Sequence, residues 1–381
     1  MVELTINNQK SPRSFVGPLT SIRGLFALMV VWTHFSGYHH IQHWTTPLGG
    51  VAVGWFFILS GFILAYNYPS LPTLRHQLSF LVSRFWRMWP VQAVTIVVSL
   101  ILFPSGLYIV QHQTGYFIQS ITLTHAWTAV PYASQLFNTP AWSISVEWFF
   151  YLLFPILIVM SWPVRIAIAS FAALLALGLV GSYGCWNSLA NFTNPGDSYH
   201  ATCVQLLTYW PPIRIWEFVL GIAICECSNR IGRKQYSENL QIPIIIAAFF
   251  MLLGYFEVAR IFPPGFLVVH FAKWGMIAYF AKWGLATACG SLLILGLSLR
   301  GPATKPLSMR PLLFGGEISF SVYMIHFIVM RFVDEHQIWL NLRLDIQFLL
   351  QCAFIVLVAS LINVFVEKPS RRALKNIQHR W

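Results

Sequence analysis

The 381 residues are 57% hydrophobic and only 9% charged, with a mean hydropathy of +0.64. Soluble domains carry roughly 25% charged residues, so this composition excludes a soluble globular protein and predicts an integral membrane one. The formal net charge of +12 falls at helix ends and short loops, which topology explains, and it argues against a nucleic-acid partner.

Ten apolar segments of spanning length run near 19–38, 49–67, 89–110, 141–162, 165–184, 210–227, 241–257, 276–298, 312–332 and 346–366. Breaks such as Tyr68-Pro69-Ser70-Leu71-Pro72 and Arg300-Gly301-Pro302 separate them. Residues 1–18 are polar and hold Lys10, Arg13, Pro12 and Pro18, which predicts a cytoplasmic tail and a retained first span, with no cleavable signal. With that tail inside, all but six of the 24 Lys and Arg residues fall on the inner face. The exceptions are Arg214, Arg260, Lys273, Lys282, Arg331 and Arg343. An even number of spans returns the C-terminus, a basic tail at 367–381, to the cytoplasm. The expectation is an all-α, multi-pass protein of the cell membrane, one domain over 1–381 with about ten transmembrane helices and both termini cytoplasmic.

The first span carries two ionisable groups, Arg23 and His34. Eleven residues at about 100° each bring them back to nearly one face, about 16 Å apart along the axis. Such groups are costly in hydrocarbon and face a protein interior or a wet cavity. On the second span Gly50 and Gly54 are spaced for close helix packing. Arg84 and Arg87, in a cytoplasmic stretch before the third span, share one side of a helical turn. There they either grip a phosphate or simply mark the inner face.

Pro140 opens the fourth span, whose motif Trp142-Ser143-Ile144-Ser145-Val146-Glu147 buries a carboxylate two turns in. That carboxylate is expected to pair with a cation or to hold a histidine. Arg214 and Glu217 open the sixth span three residues apart, in reach of an ion pair. On the ninth span Ser319, Tyr323 and His326 share a face, suited equally to an interhelical hydrogen-bond network and to catalysis. The inside-out alternation of spans puts His34, Glu147, Arg214, Glu217 and His326 in the outer half of the membrane and Arg84 and Arg87 at the cytoplasmic face. The pattern suggests an outward-opening polar cavity connected to a cytoplasmic phosphate-binding mouth.

Other features carry less. Six scattered cysteines make no disulfide framework, although Cys185 and Cys203 share a loop expected outside. Cys225-Glu226-Cys227 has the wrong spacing for zinc, and no metal is expected. The sequon at Asn191 matters only in a eukaryotic host. The doublet Ala272-Lys273-Trp274-Gly275 and Ala281-Lys282-Trp283-Gly284 reads as interfacial anchoring.

Taken together, these motifs resemble the acyltransferase 3 family of membrane acyltransferases, which includes bacterial O-acetylases of surface glycans. The resemblance runs through Arg23-x10-His34, Phe57-Ile58-Leu59-Ser60-Gly61-Phe62, Arg84-x-x-Arg87 and Trp142-Ser143-x-Ser145-x-Glu147. It continues through Arg214-x-x-Glu217-Phe218, Ser319-Phe320-Ser321-Val322-Tyr323-Met324-Ile325-His326 and Val366-Glu367-Lys368-Pro369. Phe320 stands where Tyr is more usual. The resemblance implies that Arg23 and His34 are essential and that Arg84 and Arg87 contact an acyl-CoA donor. It also implies that acceptor handling is left to the membrane core, because the chain ends soon after the last span.

The expected reaction moves an acyl group, acetyl above all, from cytoplasmic acyl-CoA to a hydroxyl of a carbohydrate or glycoside acceptor. No permanently bound cofactor is expected. His34 would act as general base, with nearby Glu147 raising its basicity. Arg23, Arg214 or a Ser hydroxyl would stabilise the oxyanion. Ser143, Ser145, Arg214, Glu217, Tyr323 and His326 would line the acceptor side, and Ser143 or Ser145 is the candidate for any acyl-enzyme. The rival reading is a proton-coupled secondary transporter built on the same His, Glu and Arg cluster, which tends to show repeated halves; none is evident here. A purely structural scaffold is the third alternative.

Overall fold

A computed structural model describes residues 17–41, 48–103, 110–128, 130, 133–182, 205–232, 237–261, 272–299 and 301–378. Cys185, Cys203 and Asn191 lie outside them. Among the described residues the regular structure is helical throughout. The helices are α1 (Gly17–Tyr38), α2 (Leu48–Asn67), α3 (Leu74–Leu102), the short α4 (Thr114–Ile121), α5 (Trp142–Val159), α6 (Trp162–Ser182), α7 (Pro211–Gly232), α8 (Ser237–Ile261), α9 (Ala272–Ser298), α10 (Arg310–Glu335), α11 (Leu344–Ile362) and α12 (Lys368–Gln378). Each of the ten predicted apolar segments coincides with one of these. Seven helical stretches are long and apolar enough to cross a membrane, and two further apolar stretches, Trp162–Leu175 and Trp283–Ser298, are shorter. Helix α7 lies outside that set and carries Arg214, Glu217 and Glu226. The chain is a multi-pass membrane protein.

Helix α2 forms the centre of the bundle: 72% of its apolar window is buried, against 17% for α8 at the periphery. Phe57 on α2 meets Phe150 of α5 at 5.2 Å, and Phe150 stacks on Phe218 of α7 at 5.1 Å. On the outside, Phe249, Phe250, Leu349, Leu357 and Phe365 are exposed. Contiguous exposed apolar side chains of this kind suit a lipid-facing surface.

Two backbone crossings set the helix spacing. A Cβ on Gly221 of α7 would fall on the carbonyl oxygen of Ile58, and one on Gly61 of α2 would fall on that of Phe218. Likewise Gly316 of α10 admits the carbonyl of Thr20 on α1. The Gly50/Gly54 pair, expected to pack helices, has another use. A Cβ at Gly54 would lie 2.7 Å from the Glu217 carboxylate, so this glycine makes room for a side chain.

Helix α3 departs from the predicted boundary at 89. It starts at Leu74, capped by the Thr73 hydroxyl, which accepts from the His76 N–H at 3.3 Å, and it runs through Pro90 without ending. Arg84 and Arg87 therefore stand on the wall of a long helix rather than in a stretch preceding a span.

The connection between α4 and α5 is itself a folded wall. The Ser145 hydroxyl donates to the Leu123 carbonyl at 2.9 Å and accepts from the Ala126 N–H at 3.0 Å. These bonds hold Leu123 at φ 60°, a region that non-glycine residues seldom occupy. His125 is buried in the same connection, and burial pushes its pKa down to about 4.

At the other end of the chain, α11 passes through a π turn, Asn363–Glu367, into α12, which packs on α3. The residues expected as a basic tail thus contribute a further helix.

Candidate active site

Arg23 of α1, Arg84 and Arg87 of α3 and Glu147 of α5 line one partly open cavity of about 140 Å³. The Arg84 guanidinium donates to the Tyr68 hydroxyl at 2.8 Å and lies over the Tyr68 and Phe80 rings, at 5.2 and 5.7 Å from their centroids. Its Nε is buried without a hydrogen-bond partner. Glu147 accepts from the Ser60 hydroxyl at 2.7 Å and from the Tyr151 hydroxyl at 2.5 Å. Among the described residues, no ion pair includes Arg23, Arg84 or Arg87. Guanidinium groups inside an apolar bundle without carboxylate partners are costly unless an anion or water meets them. Their planar donor fork matches phosphate geometry. This wall is built to receive an anion.

Helices α1 and α10 run side by side in the same direction, with Gly24 against Gly315 and Gly316 near one end and His34 against His326 further on. The wall of the cavity includes Val53, Phe56, Phe57, Ser143 and Tyr323. Tyr323 links it to the histidines: its ring lies 6.0 Å from that of Phe56 and 5.9 Å from that of His326. The Ser143 hydroxyl donates to the Tyr323 hydroxyl at 2.7 Å, and Tyr323 donates to the Pro140 carbonyl at 3.1 Å.

The histidine pair fixes a proton arrangement. His326 Nδ1 lies 2.7 Å from the Tyr323 carbonyl, which only accepts, so Nδ1 carries the hydrogen. In the neutral ring Nε2 is then an acceptor, and His34 Nδ1, 2.9 Å away, must donate to it. His34 Nε2 is left with a free lone pair on a half-buried ring. His326 is fully buried and so serves to orient His34.

Comparison with known proteins agrees with this geometry. The sequence model of the acyltransferase 3 family, described as an acyltransferase domain, matches residues 19–365. The chain belongs to that acyltransferase family. It is 26% identical to acyltransferase MdmB of Streptomyces mycarofaciens over 93% of this chain and 92% of that protein. It is 25% identical to O-acetyltransferase OatA of Staphylococcus aureus over 95% of this chain, which corresponds to 58% of OatA. No solved structure matches the chain. Family membership makes the protein an acyltransferase and sets the transporter reading aside.

Within the acyltransferase, several expected site residues are not where the sequence reading put them. Glu147 does not hold His34. It sits beside Ser60 and Tyr151 in the arginine cavity, so the neighbour that orients His34 is His326. Ser143 lines the cavity, but Ser145, two residues on and so on another side of the helix, pins the connection between α4 and α5.

Arg214 and Glu217 form a buried pair at 2.9 Å and are not part of the cavity wall. The Arg214 guanidinium lies over the rings of Phe57, Trp142 and Trp283, at 5.5, 6.0 and 5.6 Å. Trp283, read from the repeat as an interfacial anchor, is thus part of a cage around an interior cation. The sequence reading also missed Tyr151 and Ser60, whose hydroxyls orient Glu147. Tyr151 was accessible in principle, being one helical turn after Glu147.

Proposed function

We propose that this acyltransferase moves an acetyl group from acetyl-CoA to a hydroxyl of a carbohydrate or glycoside acceptor at the cell membrane, with His34 as general base. The observation that carries the reading is the three-arginine wall, whose members form no ion pair among the described residues although Glu147 lies in the same cavity, and that cavity reaches Tyr323, one turn before His326. Arg23, Arg84 and Arg87 take the donor phosphates on the cytoplasmic side. The pantetheine arm extends along α1 towards His34, a distance of about 16 Å over eleven residues. That the relative OatA is an O-acetyltransferase supports an oxygen acceptor.

A thioester is already activated, so transfer needs a base and a stabilised oxyanion. His34 Nε2 takes the proton of the acceptor hydroxyl as its oxygen attacks the thioester carbon. The Ser143 and Tyr323 hydroxyls, each turning its single proton away from its present acceptor, donate to the oxyanion of the tetrahedral intermediate. Collapse breaks the carbon–sulfur bond, and the departing CoA thiolate recovers the proton from His34. The products are the acetyl ester and free CoA. Direct transfer of this kind needs no acyl-serine.

The test uses membranes holding wild type or His34→Gln at matched expression, supplied with radiolabelled acetyl-CoA. Wild type is expected to release CoA and move label into the glycan fraction. His34→Gln is expected to be slower by roughly 10²–10⁴-fold, the range for loss of a general base. Equal transfer by both proteins would remove His34 from the chemical step.

A further inference from the structure

The geometry points to Arg371, on the C-terminal helix α12, as a fourth cation of the donor site that grips the nucleotide phosphates of acyl-CoA. This assignment rests on the acyl-CoA reading above and names a contact which that reading leaves out.

The argument begins with Glu367, which is buried although it stands at the end of the last apolar stretch. Its carboxylate accepts from the Ser321 hydroxyl of α10 at 2.9 Å and from the Asn363 amide at 3.0 Å, and it pairs with Arg371 one turn on. A carboxylate fixed from three sides holds Arg371 in turn. That ion pair uses one terminal nitrogen of a guanidinium with five N–H donors. The side chain is 43% exposed, so the remaining donors are open to a ligand.

Position supplies the second half. Helix α12 packs on α3, the helix that carries Arg84 and Arg87. Arg371 lies within electrostatic reach of Arg87, Arg84 and Arg23, and the acidic Glu317 faces it as well. Neighbouring guanidinium groups repel one another, and Glu147 and Glu367 offset part of that repulsion. A polyanion relieves that repulsion. The nucleotide end of CoA carries a pyrophosphate and a separate 3′-phosphate, and a cation at the rim adds a contact to whichever phosphate stays outside the cavity. Arg371 is not part of the cavity wall, so it meets the part of the donor that stays outside, at the rim.

The test compares wild type, Arg371→Gln and Arg372→Gln with three donors: acetyl-CoA, acetyl-dephospho-CoA lacking the 3′-phosphate, and S-acetylpantetheine lacking the nucleotide. Arg372 is exposed, adjacent and forms no ion pair among the described residues, which makes it the control. Arg371→Gln is expected to raise KM for acetyl-CoA about tenfold with little change in kcat, as befits loss of one partly exposed charge-assisted contact. The difference should shrink with acetyl-dephospho-CoA and vanish with S-acetylpantetheine, which also shows that the variant is folded. Arg372→Gln should match wild type throughout.

Equal KM for Arg371→Gln and wild type with acetyl-CoA would overturn the assignment. So would a penalty that persists undiminished with S-acetylpantetheine. In both cases the donor reading itself would stand. Failure of wild type to use acetyl-CoA at all would instead bring down the donor reading, and this assignment with it.

Discussion

At the scale of single residues, His34 draws its role from a partner on another helix. The Tyr323 carbonyl sets the tautomer of His326, which sets that of His34, and the free nitrogen of His34 is the result. The two serines of the Trp142–Glu147 motif divide in the same way, by what they touch. Ser143 meets the Tyr323 hydroxyl in the cavity wall, whereas Ser145 holds Leu123 and Ala126 in the connection between α4 and α5.

Ser143→Ala and Tyr323→Phe are therefore expected to lower kcat by about 10²-fold, the lower end of the range for an oxyanion donor, with a smaller stability loss than Ser145→Ala because the Pro140 carbonyl accepts from both hydroxyls and keeps the other. Ser145→Ala is expected to cost about 1–3 kcal/mol of stability, the range for leaving a buried partner unmet, while the folded fraction keeps its kcat. Thermal unfolding and single-substrate kinetics on the same preparations separate these outcomes. Reversed phenotypes would refute the division.

Arg23, His34, Arg84 and Arg87 were legible as polar groups inside the bundle because rare charges in apolar surroundings mark themselves, and spacing assigns them a face. Glu147 is legible as an interior carboxylate that meets either a cation or a histidine, and the structure sets it in the arginine cavity beside Ser60 and Tyr151. Its partner Ser60 lies 87 residues away, and helix periodicity carries no information about which helices meet.

At the scale of elements, the close crossing of α2 and α7 positions the central helix on which the arginine cavity and the Arg214 cage are built. Gly221→Ala is expected to cost about 1–3 kcal/mol, the usual range for overpacking, because its Cβ meets backbone rather than a movable side chain. Gly115→Ala, where nothing lies within 4 Å, is the matching control and should leave unfolding unchanged. Thermal unfolding in detergent reads both, and wild-type stability of Gly221→Ala would contradict the crossing.

The long apolar helices were legible because hydrophobic runs of this length have few other uses. The start of α3 was not. Its first turns carry Arg75, His76 and Gln77 and read as polar loop, and Pro90 reads as a break, yet the Thr73 cap and packing on neighbouring helices continue the helix through both. Helix α12 was read as a basic tail for a related reason: its charge is visible in the sequence, but the buried anchor at Glu367 is not.

At the scale of the whole molecule, an apolar bundle keeps a few costly polar groups and arranges them in two sets. Arg23 of α1 gathers with Arg84 and Arg87 of α3, where the proposed reaction puts the donor phosphates, and the histidine pair lies about three helical turns further along α1. Donor binding and chemistry are consequently separable. The most direct measurement is the affinity of purified wild type, Arg87→Gln and His34→Gln for radiolabelled acetyl-CoA by equilibrium dialysis. The structure leads us to expect His34→Gln to bind as tightly as wild type while failing to transfer, and Arg87→Gln to bind at least tenfold more weakly, about 1.4 kcal/mol. Absence of binding by wild type, or equal loss of binding in both variants, would contradict the separation of an arginine donor site from a histidine base.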